Sequence, residues 1–250
     1  MEGKRAIIIG ATSGIGKAVA RTLSAKGWKI GIAGRRQQVL QEIQRGDLNV
    51  VATQCIDITK DNAATELKNL IGKMGGIDLY FHSSGIGYQN PSLDEDKELR
   101  TVETNALGFT RMVITAFKYF EEHLERKGQI AVISSIARTK GLGAAPAYSS
   151  TKRFVSHYLD CLTQLANMKG MKNLTITDIR PGFVRTPLLG DGGTYPLQLN
   201  VDKVAEEIIK GIEKKKTIIT VDWKYRILVF FWNLVPRWIW VRMNIVSKKL

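Results

Sequence analysis

A chain of 250 residues with 44% hydrophobic and 24% charged side chains has ordinary globular usage, which excludes a disordered or fibrous chain and leaves room for one large core without staples. Its two cysteines, Cys55 and Cys161, are too few for a disulfide framework or a four-cysteine zinc site, and suit a reducing compartment. The 37 basic residues against 23 acidic ones leave a net charge of +14, which attracts nucleic acid, anionic lipid or a phosphorylated ligand.

Lys4 and Arg5 precede only Ala6–Ile9 before Gly10, far short of a secretory apolar segment, so a cytoplasmic protein is expected. Arg5–Ile9 is a short β-branched run that suits a strand buried on both faces. It is followed by Gly10-Ala11-Thr12-Ser13-Gly14-Ile15-Gly16 and an amphipathic helical pattern over Ile15–Lys26. Glycines permit a tight turn and close backbone approach to a pyrophosphate, and the helix start offers N–H groups and a positive dipole end. The spacing is Gly-x-x-x-Gly-x-Gly, distinct from the commoner Gly-x-Gly-x-x-Gly. Gly10, Thr12, Ser13, Gly14, Ile15 and Gly16 are the first candidate cofactor-binding residues.

A second strand pattern, Lys29–Ala33, ends in Gly34-Arg35-Arg36 before a helix over Gln37–Gln44. An acid at this point would hold the ribose 2′-hydroxyl of NAD, whereas arginine accommodates the 2′-phosphate of NADP. Two guanidiniums and no acid point to NADP. The third strand pattern, Val50–Cys55, leads to Asp57 and Ile58 ahead of a helix over Ala63–Gly72. Asp57 can accept a bond from an adenine amino group, or cap the helix that follows. The fourth strand pattern, Ile77–Phe81, runs into His82-Ser83-Ser84-Gly85.

A long helical pattern spans Glu98–Lys127 and contains Asn105. The fifth strand pattern, Gln129–Ser134, ends at Ser135, and a helix follows over Ala147–Met168. In that helix Tyr148 and Lys152 are four residues apart and share a face. A free phenol is a poor proton donor at neutral pH, and a neighbouring ammonium is expected to lower its pKa. Ser135 could steady a carbonyl oxygen as charge develops there. Strand patterns at Leu174–Ile179 and Thr217–Val221 flank a last helical pattern, Asp202–Lys214. The alternation implies an α/β fold: one Rossmann domain over 1–222, a doubly wound parallel sheet of about seven strands with helices on both faces. Ligands of such sheets lie beyond the carboxyl ends of the strands.

With the glycine turn, Asp57, Asn105, Ser135, Tyr148, Lys152 and Pro181-Gly182-Phe183-Val184-Arg185-Thr186 in this order, the chain resembles the short-chain dehydrogenase/reductase family from Lys4 to about Val221. The resemblance implies that Tyr148 is the acid/base, that Lys152 tunes it and binds the nicotinamide ribose, and that Ser135 positions the substrate oxygen. It further implies that Asn105 holds a water linking Lys152 to solvent. Pro181, Gly182, Val184 and Thr186 are expected at the nicotinamide carboxamide, and Ser83, Ser84 and Gly85 at the cofactor, with no metal. The chain departs from the family where Ile9 replaces a usual Thr, and where His82-Ser83-Ser84-Gly85 replaces Asn-Asn-Ala-Gly. His82 reads as a satisfied polar residue at the sheet's edge. In the family the region from Pro187 to Leu199 lids the substrate pocket; Gly190, Gly192 and Gly193 suit a moving loop.

The expected activity is reversible, NADP(H)-dependent interconversion of a ketone or aldehyde and an alcohol, NADPH being preferred over NADH. The partners implied are a small carbonyl or alcohol substrate and further copies of the chain, as a dimer or tetramer. The rivals are an epimerase passing through a keto intermediate, and a non-catalytic dinucleotide sensor or scaffold. Nothing forms a recognised nucleic-acid module.

The tail, 223–250, lies outside the family pattern. It holds four of the five tryptophans and, from Lys224 onward, six basic residues with no acidic one. Arg226, Asn233, Arg237, Asn244 and Lys248 form a narrow polar stripe at helical spacing, with Pro236 expected to kink or split the helix. Tryptophan and basic residues together suit a helix lying in a membrane interface, at the inner face. An oligomer contact or a flap over the substrate pocket is the alternative.

Overall fold

The computed structural model describes residues 3–189, 195 and 197–245. The expected lid glycines Gly190, Gly192 and Gly193, and the basic Lys248 and Lys249, lie outside the described residues. Seven parallel strands form one sheet in the order β3-β2-β1-β4-β5-β6-β7. They are β1 Arg5–Ile9, β2 Lys29–Gly34, β3 Val50–Cys55, β4 Leu79–His82, β5 Gly128–Ile133, β6 Leu174–Arg180 and β7 Ile218–Thr220. Each begins and ends within two residues of its apolar run.

Strand alternation divides the core in two. Ile7, Ile9 and Tyr80 point into one layer, and Ala6, Ile8 and Phe81 into the other. The first layer packs against α3 (Ala63–Met74), α5 (Phe109–Glu121) and α6 (Pro146–Met168). The second packs against α1 (Gly14–Ala25), α2 (Gln37–Gly46) and α7 (Val201–Glu213). This is the expected doubly wound Rossmann architecture. The strand order reverses between β1 and β4, which opens the crevice there.

One helix differs from its sequence pattern. The expected single helix over Glu98–Lys127 is α4 (Glu95–Val102), a π-helical stretch over Glu103–Gly108, and α5. It starts earlier because the Asp94 side chain accepts from the Lys97 N–H and caps the first turn. It ends at Glu121, leaving residues 122–127 to carry the chain to β5.

The tail folds as α8 (Trp223–Leu234) and α9 (Arg237–Trp240). The break falls at Pro236, as expected, with the preceding Val235 in an extended conformation.

Candidate active site

The carboxyl ends of the strands frame a cleft of about 810 Å³ running from Arg35 to Trp232. Its nucleotide end begins at the turn after β1. Gly10 has φ +82°, and a Cβ there would stand 2.8 Å from the Ser84 backbone nitrogen, so glycine is required on both counts. Ser13 precedes α1 in extended conformation, its side chain makes no capping bond, and the first turn has no acidic residue. The N–H groups at this helix start therefore carry no side-chain cap, and Gly14 and Ile15 line the cleft there, which fits a pyrophosphate; Gly16 is buried behind them, where a Cβ would stand 2.3 Å from the Gly10 carbonyl oxygen.

Arg35, Arg36, Asp57 and Ile58 also line this end. Arg36 donates twice to the Thr12 hydroxyl, at 3.2 and 2.7 Å. Asp57 does not cap α3, whose N-cap is Asn62. It caps its own turn instead, accepting from the Thr59 N–H at 3.1 Å and hydroxyl at 2.9 Å. Burial pushes its carboxyl up, but these two bonds and the nearby Arg35 and Lys60 charges hold it below the usual carboxylate value.

Ser83, Ser84 and Gly85 line the middle of the cleft, and the Ser83 N–H donates to the Ile9 carbonyl. His82 is not where its sequence context placed it. It sits on β4, the central strand, not at the sheet's edge, because strand order cannot be read from a strand's own pattern. Nor is it fully satisfied. Nδ1 pairs with the Tyr80 hydroxyl at 2.8 Å, while the buried Nε2 makes no hydrogen bond. Burial, then the Lys152 charge, push its pKa down to about 3, against a small opposing pull from the Ser84 backbone.

The structure brings Ser135, Tyr148, Lys152 and Asn105 together at the ends of β4 and β5. The Ser135 hydroxyl accepts from the Ala137 N–H at 3.1 Å and lies beside the Tyr148 phenol, whose pKa it draws down. The Lys152 ammonium donates to the Ile133 carbonyl at 2.9 Å and lies 5.8 Å from the centre of the Tyr148 ring. Asn105 sits in the π-helical stretch, where the wider turn aims its amide at the loop after β4. It accepts from the Ile86 N–H at 2.9 Å and donates to the Ile86 carbonyl at 2.7 Å and the Thr151 hydroxyl at 3.2 Å.

One electrostatic expectation is not met. Burial pushes the Tyr148 phenol above its ordinary value, and only Ser135 opposes it. Lys152 does not bring it down: burial drives this ammonium itself to about 8, with the Asp178 charge pulling the other way. Helical spacing predicts proximity but is blind to desolvation.

The short chain dehydrogenase family profile matches residues 4–193. The chain belongs to the short-chain dehydrogenase/reductase family. An uncharacterised oxidoreductase of Myxococcus xanthus is 28% identical over 94% of this chain and 94% of its own. A short-chain dehydrogenase/reductase of Burkholderia phymatum, solved with NAD, has TM-score 0.80 at 17% identity, covering 91% of this chain and 92% of its own. A short-chain dehydrogenase of Sphingobium yanoikuyae, solved with NADPH, has TM-score 0.77 at 17% identity, covering 96% of each. The protein is thus a Rossmann-fold oxidoreductase of this family, and structural neighbours of its fold hold either nicotinamide dinucleotide.

In this family member the far end of the cleft carries residues that sequence reasoning missed. Pro181, Gly182, Val184 and Thr186 line it. Gly182 lies flat against the ring of Tyr225 from α8: a Cβ there would meet ring atoms at 2.1 Å. The Tyr225 hydroxyl accepts from the Phe183 N–H and donates to the Leu197 carbonyl, both at 3.0 Å. Trp232 joins the cleft wall beside Leu142, Phe183, Leu188 and Leu189. Asp178 was also missed. This buried carboxylate accepts from the Ser134 and Ser156 hydroxyls and from Arg180 Nε at 2.7 Å, tying the end of β5 to α6. A polar Asp inside an otherwise apolar strand pattern was the available signal.

Proposed function

We propose that this oxidoreductase is an NADPH-preferring carbonyl reductase acting on an apolar ketone or aldehyde, with Tyr148 as the proton donor. The observation that carries the reading is the half-buried Tyr148, its phenol beside Ser135, with an ammonium 5.8 Å from its ring and an apolar wall at the cleft's far end.

NADPH, when bound, supplies the hydride that the carbonyl carbon receives. Gly10, Thr12, Ser13, Gly14, Ile15 and Gly16 hold its pyrophosphate, and Arg35 and Arg36 its 2′-phosphate. Asp57 and Ile58 meet the adenine, and Ser83, Ser84 and Gly85 the adenosine ribose. Tyr148 and Lys152 bind the nicotinamide ribose, and Pro181, Gly182, Val184 and Thr186 the carboxamide.

The Ser135 hydroxyl steadies the substrate oxygen while Tyr148 delivers its proton there. The protonated phenol is the form that donates in the reducing direction, and the alkoxide developing on the substrate, a stronger base than a phenolate, takes its proton even though burial makes the phenol a weaker acid. Lys152 stabilises the phenolate that remains. Asn105 orders the path by which the proton returns from solvent. Positioning both reactants in one closed geometry is worth several kcal/mol of barrier.

Leu107, Ile114 and Phe154 are exposed near the α5–α6 face, which suits a dimer or tetramer. The test is turnover of a panel of alkyl and aryl ketones with NADPH. Tyr148→Phe is expected to bind NADPH as the wild type does and to lose roughly 10²–10⁴-fold in kcat. Near-normal turnover by this variant overturns the mechanism.

A further inference from the structure

The tail helix α8 is apolar on two opposite sides. At about 100° per residue, Tyr225, Leu228, Val229 and Trp232 share one arc of roughly 100°. This arc faces the domain: Tyr225 is 1% exposed, and Leu228, Val229 and Trp232 are half-buried. On the other side Trp223, Ile227, Phe230, Phe231 and Leu234 fill a second arc and are 48–62% exposed. Beyond Pro236 the exposed apolar surface continues through Trp238, Val241 and Met243. A helix packed on one side only should carry polar residues on the other. This one spends its outward face on large apolar side chains, Trp223 among them, with Trp238 following on α9.

The rim of this face is basic. Lys224, Arg237 and Arg242 are exposed there, and no acidic residue follows Asp222 in the sequence. That composition selects among occupants. A second copy docked by a two-fold axis would bring the two basic rims against each other without counter-charges. An anionic bilayer supplies the counter-charges and takes the tryptophans at its headgroup level. No helix among the described residues is long and apolar enough to cross a membrane, so this face lies on the bilayer.

The same helix walls the cleft. Trp232 lines it from the inner arc and packs edge-on against Trp240, ring centres 5.5 Å apart. Trp240 is pinned to the domain by its Nε1–H, which donates to the Gly141 carbonyl at 2.7 Å. Lys140 donates to the Val235 carbonyl at 2.8 Å. The tail is thus fastened to the domain beside the cleft, with its opposite side free.

We infer that the outer face of α8 and α9 docks the protein on an anionic membrane surface, so that the cleft beside Trp232 draws its carbonyl substrate from the bilayer. The substrate class is an amphiphile with a long apolar chain that partitions into lipid. This substrate class rests on the carbonyl-reductase reading; the docking does not.

The experiment floats the full chain on phosphatidylcholine vesicles with and without phosphatidylglycerol, then assays NADPH oxidation with a long-chain ketone dissolved in them. The wild type is expected to float with the anionic vesicles only. Phe230→Gln combined with Phe231→Gln, both outside the cleft, should abolish flotation. Arg237→Gln keeps every apolar contact and should lower partition about fivefold, the factor for one interfacial charge. A short water-soluble ketone should be reduced equally by wild type and the paired variant, while the vesicle-borne ketone is reduced by the wild type alone. No flotation of the wild type, or equal flotation of the paired variant, overturns the docking. Loss of an oligomer in the paired variant, with no flotation of either, assigns the face to a second copy and overturns it too. Flotation without NADPH oxidation on any ketone leaves the docking standing and sinks the carbonyl reading.

Discussion

At the Arg35 end of the cleft the wall combines backbone with side chains that directly follow a strand in sequence. The N–H groups of α1 and the turn at Gly10, seated against Ser84, shape it from residues that directly follow β1 and β4. At the Trp232 end the wall is made of side chains that arrive from far away in sequence. Tyr225 bonds a residue 42 positions back, and Trp240 one 99 positions back. A backbone cradle suits a ligand whose pyrophosphate never changes. A wall of long-range side chains can be rebuilt without touching the sheet, which is where a family that shares one cofactor chemistry can vary its substrates.

The largest test of this contrast is Tyr225→Ala. It removes a buried ring from against Gly182 and two hydrogen bonds from the loop after β6. Its expected cost is about 3–5 kcal/mol in urea unfolding, together with a raised KM for NADPH. Tyr225→Phe keeps the ring and should lose only about 1–3 kcal/mol. If the alanine variant unfolds like the wild type, the tail is an appendage and the contrast fails.

His82 sits between the two ends, on the central strand, and gives a pH test. Its folded pKa, about 3, lies below the ordinary 6.5. The unfolded chain therefore takes up the proton first as pH falls. The stability held by neutral His82 is complete above 6.5 and is lost as pH drops from there toward 3, of the order of 5 kcal/mol in all. His82→Asn should flatten this acid-side slope. Parallel stability curves for the two proteins would show that the imidazole is not held neutral by burial.

What the sequence made legible follows the same division. The glycine turn, the two arginines and the Ser135–Tyr148–Lys152 set are readable because each lies just after a strand or within one helix turn. β1, β2 and β4 are readable because they are short apolar runs buried on both faces, and β3, β5, β6 and β7 because β-branched residues recur between turn and helix signals despite polar interruptions. The π-helical stretch around Asn105 is not, since one extra residue per turn barely disturbs an apolar rhythm. His82's central position depends on strand order, and Tyr225 on a contact across the fold. The phenol's raised pKa depends on burial, which the four-residue spacing to Lys152 does not contain.

At the nucleotide end, Arg35→Ala is expected to weaken NADPH by roughly 10–100-fold, the loss of a charge-assisted phosphate contact, and to leave NADH nearly unchanged. Equal losses on both cofactors would refute recognition of the 2′-phosphate and return the site to neutral ground between the two.

Arg36→Ala is the smallest expected effect and the finest probe of that end. Arg36 already donates twice to Thr12, whereas Arg35 carries its charge toward Asp57. A guanidinium has five donors in a fixed fork, so bonds to Thr12 orient Arg36 and leave fewer for phosphate. The loss for NADPH should be a few-fold, well below that of Arg35→Ala, and Thr12→Val should reproduce part of it by releasing the fork. If Arg36→Ala instead proves the more damaging, the Thr12 bonds preorganise the principal phosphate ligand and the ranking of the two arginines reverses. Titration of both variants with NADPH and NADH by quenching of protein fluorescence decides the order.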